Sequence, residues 1–208
     1  MYTPPAFAED DHSSLIAMIR ACRLAQFVTA STDGPIATAL PMFIDEAEGE
    51  MGVLYGHVAR ANPHWQAPVR GNALVLFMGA DAYISPSWYA AKAEHGKVVP
   101  TWNYEAVEAR GPVEFFDDPD SLHAVVSRLT DLHESGRSSP WAVSDAPEAY
   151  IKAHMRGIVG LRIPVTALQG KRKMSQNRTQ ADRRGVSEGL AASDRPSDRN
   201  VAPLIPTD

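Results

Sequence analysis

The stretch GHVARANPHW, residues 56–65, gathers side chains that can bind a ligand: His57, Arg60, Asn62, His64 and Trp65. Its two histidines match neither the helical H-x-x-x-H pattern nor a zinc-finger spacing, and no cysteine pair accompanies them. A guanidinium fork with imidazole and amide donors suits phosphate oxygens, and a turn after a strand exposes backbone N–H groups that bind anions. The composition therefore favours an anion-binding turn over a metal site, with a loop whose histidines cap backbone groups as the alternative.

Residues 82–104, AYISPSWYAAKAEHGKVVPTWNY, mix six ring side chains with hydroxyl, amide and lysine groups. Ser85, Trp102 and Asn103 are among them. Loops are usually poor in aromatic residues, so this density indicates a wall around a flat ligand or a subunit interface. An Ω-like loop packed by its own side chains is the alternative, and the sequence does not separate the two.

The third cluster is QGKRKMSQNR, residues 169–178, in which four cations precede or flank the amides Gln176 and Asn177. A basic turn is usually a solvated face, and this is its default interpretation. Lys173 and its neighbours also suit a phosphate or DNA, but no helix-turn-helix pattern accompanies them.

Bulk composition narrows the class of protein. The 208 residues carry a net charge of −5, which disfavours an extended nucleic-acid footprint. The single cysteine, Cys22, excludes an internal disulfide and a thiol-rich zinc site, and it fits a cytoplasmic location. No apolar run is long enough to span a membrane, so no membrane partner is expected. Rossmann, Walker and nucleophile-elbow motifs are also absent, and no catalytic acid, base or nucleophile stands out.

Hydrophobic periodicity predicts a β-rich chain with helices at its ends. Helices are expected over 11–22, after Asp118, and before Gly157. Short strands with Asp-Gly and Glu-Gly turns are expected at 24–30, 36–44, 51–57, 73–79, 82–85, 104–116 and 157–165. Strands of this kind form an antiparallel meander or small barrel. From Gly185 onward large apolar residues are few, so one domain is expected over 1–190 and a disordered tail over 191–208.

Five motifs in order, MYTPPAF, GHVARANPHW, ISPSWY with KVVPTWNY, RGIVGLRIP and GKRKMSQNR, resemble the PaiB-like family. Its members are described as FMN-binding proteins and negative transcriptional regulators. The resemblance covers about residues 1–190 and implies an α+β fold, an antiparallel split β-barrel of the FMN-binding type with peripheral helices. It also implies a homodimer that binds FMN at its interface.

The resemblance implies a role for each cluster. It implies that Arg60 binds the FMN phosphate with help from His57 and Asn62, and that Trp102, Asn103, Gln176 and Asn177 form the slot and polar edge for the ring. Where the related pyridoxine-phosphate oxidases carry an Arg-x-His-x-Arg-like element, this chain has Lys173 to Asn177 (KMSQN), so vitamin B6 oxidation is not implied. The residues expected to contact FMN are His57, Arg60, Asn62, Ser85, Trp102, Asn103, Lys173, Gln176 and Asn177.

The implied function is flavin-dependent redox chemistry or redox sensing, linked to negative transcriptional regulation, in an FMN-dependent oxidoreductase or a non-catalytic sensor. Two alternatives stay open. One is a split barrel that binds haem or a small metabolite, because one fold hosts several ligands. The other is a DNA-binding repressor without flavin chemistry, which the acidic net charge disfavours.

Overall fold

A computed structural model describes all 208 residues, which form six α-helices and ten β-strands. The helices are α1 (His12–Ala21), α2 (Ala91–His95), α3 (Pro119–Glu134), α4 (Glu148–Met155), α5 (Gln180–Ala191) and α6 (Pro196–Val201). The strands are β1 (Ala8–Glu9), β2 (Ala25–Ser31), β3 (Gly34–Leu40), β4 (Met42–Asp45), β5 (Val53–Ala59), β6 (Arg70–Ile84), β7 (Thr101–Gly111), β8 (Glu114–Phe116), β9 (Ile158–Pro164) and β10 (Ala167–Lys173). The fold is mixed α+β with antiparallel strand pairs, as the sequence predicted. None of the helices is both long and apolar enough to cross a membrane.

The chain divides into two compact units. Unit 1 comprises residues 1–18, 78–107 and 169–208, and unit 2 comprises residues 19–77 and 108–168. The long strands β6 and β7 pass from one unit to the other.

Unit 2 contains the predicted meander and the clearest helix. Its strands follow the order β4-β5-β9-β8 in one sheet, and β6-β2-β3 belong to another. Asp118 caps α3 by accepting a hydrogen bond from the N–H of Ser121, and Pro119 occupies the first turn, as predicted. Val125 and Leu129 on the apolar stripe of α3 pack against Phe43 of β4. The Asp118 cap is confirmed, and Leu122, Val125 and Leu129 of the apolar stripe are buried, whereas Leu132 at its end is exposed.

Several strand boundaries differ from those predicted. The strand expected at 36–44 is two strands, β3 and β4, because Pro41 between them has no N–H for a sheet. The separate strands expected at 73–79 and 82–85 are the single strand β6. The single strand expected at 104–116 is also two strands, because β7 ends at Gly111 and Pro112 precedes β8.

Unit 1 places β1, β10, β7 and β6 in this order and packs α5 and α6 on a core of their own. Gly185 and Gly189, one turn apart on α5, face Trp88. A Cβ added at Gly185 would lie 2.0 Å from the Trp88 carbonyl oxygen, and one added at Gly189 would lie 2.4 Å from the indole. The two glycines therefore allow α5 to approach the segment after β6 closely.

The C-terminal segment differs from the disordered tail expected over 191–208. It forms α6 and a 3-10 turn at Ala202–Leu204. Val201, Ala202 and Ile205 are buried with Val186 and Leu190 of α5. Few large apolar residues are present, but Val201 and Ile205 are buried in this core and Leu204 packs against it.

Candidate functional site

Arg60, the predicted phosphate ligand in unit 2, follows the end of β5 and is already engaged by the protein. Its Nε donates to the carbonyl oxygen of Arg156 at 2.9 Å, and its Nη2 donates to that of Ile158 at 3.2 Å. Both terminal nitrogens also reach Asp117 Oδ2, at 3.3 and 3.4 Å. Trp65 donates its indole N–H to the Arg60 carbonyl oxygen at 2.9 Å. Four of the five guanidinium N–H groups are thus used internally.

His64 and Asn62 belong to a buried network in the same unit. His64 has no exposed surface, stacks on Phe27, and places its Nε2 and Nδ1 each 2.8 Å from a threonine hydroxyl, of Thr29 and Thr38 respectively. The Asn62 side chain caps the 3-10 turn Pro63–Gln66 through the His64 N–H and donates to Thr38. The histidine is therefore a satisfied core residue, and the backbone cap is Asn62.

His57 is the member of this stretch that keeps an unused polar atom. It lies on β5 opposite Gly160 of β9, and its Nδ1 is buried without a hydrogen-bond partner. Burial lowers the pKa of His57 and also that of His64, because desolvation penalises the imidazolium.

We expect these two histidines to make stability fall at acidic pH. Their folded pKa values lie below the ordinary value of about 6.5, so the unfolded chain binds more protons. The stabilisation is complete above about pH 6.5 and is lost as the pH falls, by up to about 1.4 kcal/mol per pH unit for each histidine. Urea unfolding between pH 7.5 and 5 should show a shallower slope in His64→Gln than in the wild type. The exposed control His12→Gln should keep the wild-type slope, and equal slopes for all three proteins would contradict the assignment.

Asn103 of unit 1 contacts the turn that follows β10. Asn103 on β7 has no exposed surface, and its Nδ2 donates to Ser175 Oγ at 2.8 Å. Its Oδ1 is buried without a partner. Ser175 has a φ of 63°, a left-handed conformation that non-glycine residues seldom adopt and that concentrates at functional sites. A buried acceptor without a donor costs free energy, so this position calls for an explanation.

The turn after β10 is held by side chains that the sequence assigned to the ligand. Gln176 accepts a hydrogen bond from the Met174 N–H at 2.6 Å and donates to the Arg172 carbonyl oxygen, so both ends of its amide are used. Asn177 is exposed. Ser85 caps the 3-10 turn Pro86–Trp88 by accepting from the Ser87 N–H. Gln176 and Ser85 therefore support the local backbone, whereas the Asn177 amide is accessible.

The basic residues before this turn are not a solvated face, which was their default interpretation. Lys171 is 8% exposed, donates to the Tyr2 carbonyl oxygen and lies 5.0 Å from the centre of the Tyr104 ring. Arg172 pairs with Glu105 at 2.8 Å. Lys173 donates to the Thr101 hydroxyl, and burial lowers the pKa of its ammonium group.

The aromatic cluster divides into core and surface residues. Tyr89 is 3% exposed in the core beneath α5, with the Arg178 guanidinium 4.7 Å from its ring centre. Tyr83 and Trp102 contact each other edge to face and are 44% and 52% exposed. Because neighbouring side chains of a strand point to opposite faces, Trp102 and Asn103 lie on opposite faces of β7.

The nine predicted ligand residues thus fall in two groups. His57, Arg60 and Asn62 are in unit 2, and the other six are in unit 1. Sequence reasoning missed Ser175 and Arg178 of the same turn. The sequence right after this turn, T-Q-A-D at 179–182, has the spacing of a helix start and could have drawn attention to it. In the structure Thr179 accepts a hydrogen bond from the Asp182 N–H and caps α5.

Comparison with known proteins adds family and fold. Residues 1–167 match the family model described as "Putative FMN-binding domain". The chain is 30% identical, over 99% of its length and 96% of the relative's, to the protease synthase and sporulation protein PAI 2 of Bacillus subtilis. It is 35% identical to an uncharacterized protein of Emericella nidulans, over 91% of this chain and 90% of that one.

This chain is also similar to a solved structure, and at so low a sequence identity the similarity concerns the fold alone. The FAD and heme binding protein of Mycobacterium smegmatis superposes with a TM-score of 0.58 at 14% identity, over 80% of this chain and 73% of that chain. The family match and the full-length relative confirm the resemblance read from the motifs. The chain therefore belongs to the PaiB-like family, whose model is described as "Putative FMN-binding domain".

Proposed function

We propose that this chain binds FMN as its cofactor, and that unit 1 recognises the flavin ring. The observation that carries the proposal is the buried, unpartnered Asn103 Oδ1 in a chain of this family. The polar edge of a flavin ring presents an N–H group, which is the donor that this oxygen lacks. The similarity in fold to the FAD and heme binding protein of Mycobacterium smegmatis also supports a flavin.

The residues present fit such a group. FMN needs a planar wall, hydrogen bonds at the edge of its ring and donors for its phosphate. In unit 1, Asn103 supplies an acceptor, and Lys173 and Asn177 supply donors. In unit 2, the internal bonds of Arg60 favour a role in holding the end of β5. When bound, FMN supplies hydride or one-electron transfer chemistry.

We further propose a split-barrel homodimer. Tyr83 and Trp102 expose a large aromatic surface, which in soluble proteins usually marks an interface. Trp102 and Asn103 cannot contact the same ring face from one strand, because they lie on opposite faces of β7. In a homodimer, a second copy of the chain would cover the Trp102 indole, while Asn103 would bind the flavin ring of its own protomer.

The regulatory role attached to the PaiB name is proposed to be indirect. The segment Lys171 to Lys173 was the one basic stretch that suited DNA, and its three cations are already bound to Tyr2, Glu105 and Thr101. These contacts would have to break before the three cations could bind the phosphate backbone of DNA. Redox sensing by the flavin, followed by a partner's action on transcription, fits this arrangement better than a direct repressor.

The absorption spectrum of the purified protein tests the cofactor. We expect flavin absorption bands with one FMN for each protomer, because Asn103 Oδ1 otherwise lacks a hydrogen-bond donor. Light scattering should show a dimer, because Tyr83 and Trp102 are otherwise exposed to solvent. Haem is the second candidate, since a fold neighbour is named for it. Of the two histidines in residues 56–65, His64 has both ring nitrogens occupied, which leaves His57 as the candidate haem ligand of this stretch. A Soret band that is lost in His57→Ala would replace the FMN assignment.

A further inference from the structure

Two adjoining cavities lie between α3 and α4 in unit 2, and we call them together the α3–α4 groove. The first encloses about 500 Å³ and is lined by Arg60, Asp117, Pro119, Leu122, Lys152, Met155 and Arg156. The second encloses about 400 Å³ and shares Pro119, Lys152 and Met155 with the first. Each has the size of a small-molecule site. The flavin proposal uses neither cavity.

The floor of the groove is apolar. Leu122 of α3 and Met155 of α4 are 2% and 8% exposed, and Val143 at the far cavity is 5% exposed. The groove follows α4, which at 1.5 Å per residue is about 12 Å long over its eight residues. An extended acyl chain could therefore lie along it and bury its surface against these side chains.

The first cavity carries one uncompensated positive charge. Its cations are Arg60, Lys152 and Arg156. Arg60 forms an ion pair with Asp117, and Lys152 forms one with Glu148. Two of the three cations are thus neutralised, and the remaining positive charge is that of Arg156. The Arg156 guanidinium makes no ion pair, although its carbonyl oxygen holds Arg60. In the far cavity Glu148 is paired with Lys152, and the remaining carboxylate, Asp120, disfavours an anionic head at that end.

We propose that the α3–α4 groove binds an acyl carboxylate, with its carboxylate on Arg156 and its chain on Leu122 and Met155. The planar guanidinium offers two parallel N–H donors that match a carboxylate. One uncompensated charge suits a monoanion better than the dianionic phosphate of FMN. The groove is thus a second ligand site, for a substrate or effector of the same protein.

Isothermal titration of the full-length protein with octanoate tests the groove. Octanoate should bind, whereas acetate, which lacks the chain, and octanamide, which lacks the charge, should bind at least about tenfold more weakly. Arg156→Gln should weaken octanoate by about tenfold or more without changing the thermal midpoint. The control is Arg184→Gln. This variant changes an exposed arginine on α5, outside the groove, and should bind octanoate like the wild type.

Three results would overturn the proposal. Octanoate could fail to bind at millimolar concentration, or bind Arg156→Gln as tightly as the wild type. In the third, added FMN would displace octanoate competitively, which would make the groove part of the flavin site. Undiminished octanoate binding to the FMN-saturated protein would support two separate sites.

Discussion

Removing residues 195–208 is expected to lower the free energy of unfolding by about 4 kcal/mol or more. The deletion takes Val201 and Ile205, 0% and 4% exposed, out of the unit 1 core. Truncating one buried aliphatic side chain to alanine typically costs about 2–5 kcal/mol. The deletion also removes the Pro206 and Asp208 carbonyl oxygens, to which Arg183 donates. Urea unfolding of the full and shortened chains measures the loss.

Point substitutions show whether the loss comes from the core. Ile205→Ala should cost about 2–4 kcal/mol. Asn200→Ala, an exposed change on α6, should stay within about 0.5 kcal/mol of the wild type. Met174 belongs to the same core and precedes Ser175, so the deletion should also weaken FMN binding. A shortened chain as stable as the wild type would mean that the segment is a disordered tail after all.

The C-terminal segment shows where sequence patterns fail. Between Gly185 and the C-terminus the apolar residues are scattered over two short helices, so no single amphipathic stripe appears. Weaker signals were present, because Thr179 and Asp182 fit a helix start and Pro196 fits the first turn of α6. What the sequence could not supply is the partner surface. Trp88 and Ile84 lie about a hundred residues earlier in the chain.

Elsewhere local patterns were sufficient. The N-cap of α3, most of its apolar stripe and the turns of the meander depend on neighbouring residues, and the sequence predicted them. Composition indicated the candidate residues of the site, but not the contacts that each of them makes in the structure. Arg60 has the right chemistry for phosphate, yet the carbonyl oxygens of Arg156 and Ile158, distant in sequence, take its donors. Asn103 and Ser175 are 72 residues apart, and only the fold brings them together.

Replacing Asn103 by leucine is expected to weaken FMN binding by about 10- to 100-fold. The substitution removes the proposed ring acceptor and leaves a flavin N–H without a partner, which costs about 1.4–2.8 kcal/mol. Leucine has a similar volume, so the β7 packing should survive. The substitution also removes the bond to Ser175, so the effect needs a matched control.

Ser175→Gly is that control. It removes the same hydrogen bond, retains Asn103 Oδ1, and suits the left-handed φ of 63° that serine tolerates poorly. FMN affinity within about threefold of the wild type is expected for this variant. If both variants lose affinity equally, the residue acts by holding the turn, and recognition of the ring by Asn103 is wrong.

Fluorescence titration of FMN into the wild type and these two variants, side by side, tests the flavin assignment most directly. We expect quenched FMN fluorescence with one FMN per protomer, weak binding in Asn103→Leu and near-normal binding in Ser175→Gly. A wild-type protein that leaves FMN fluorescence unchanged at high micromolar concentration would contradict it.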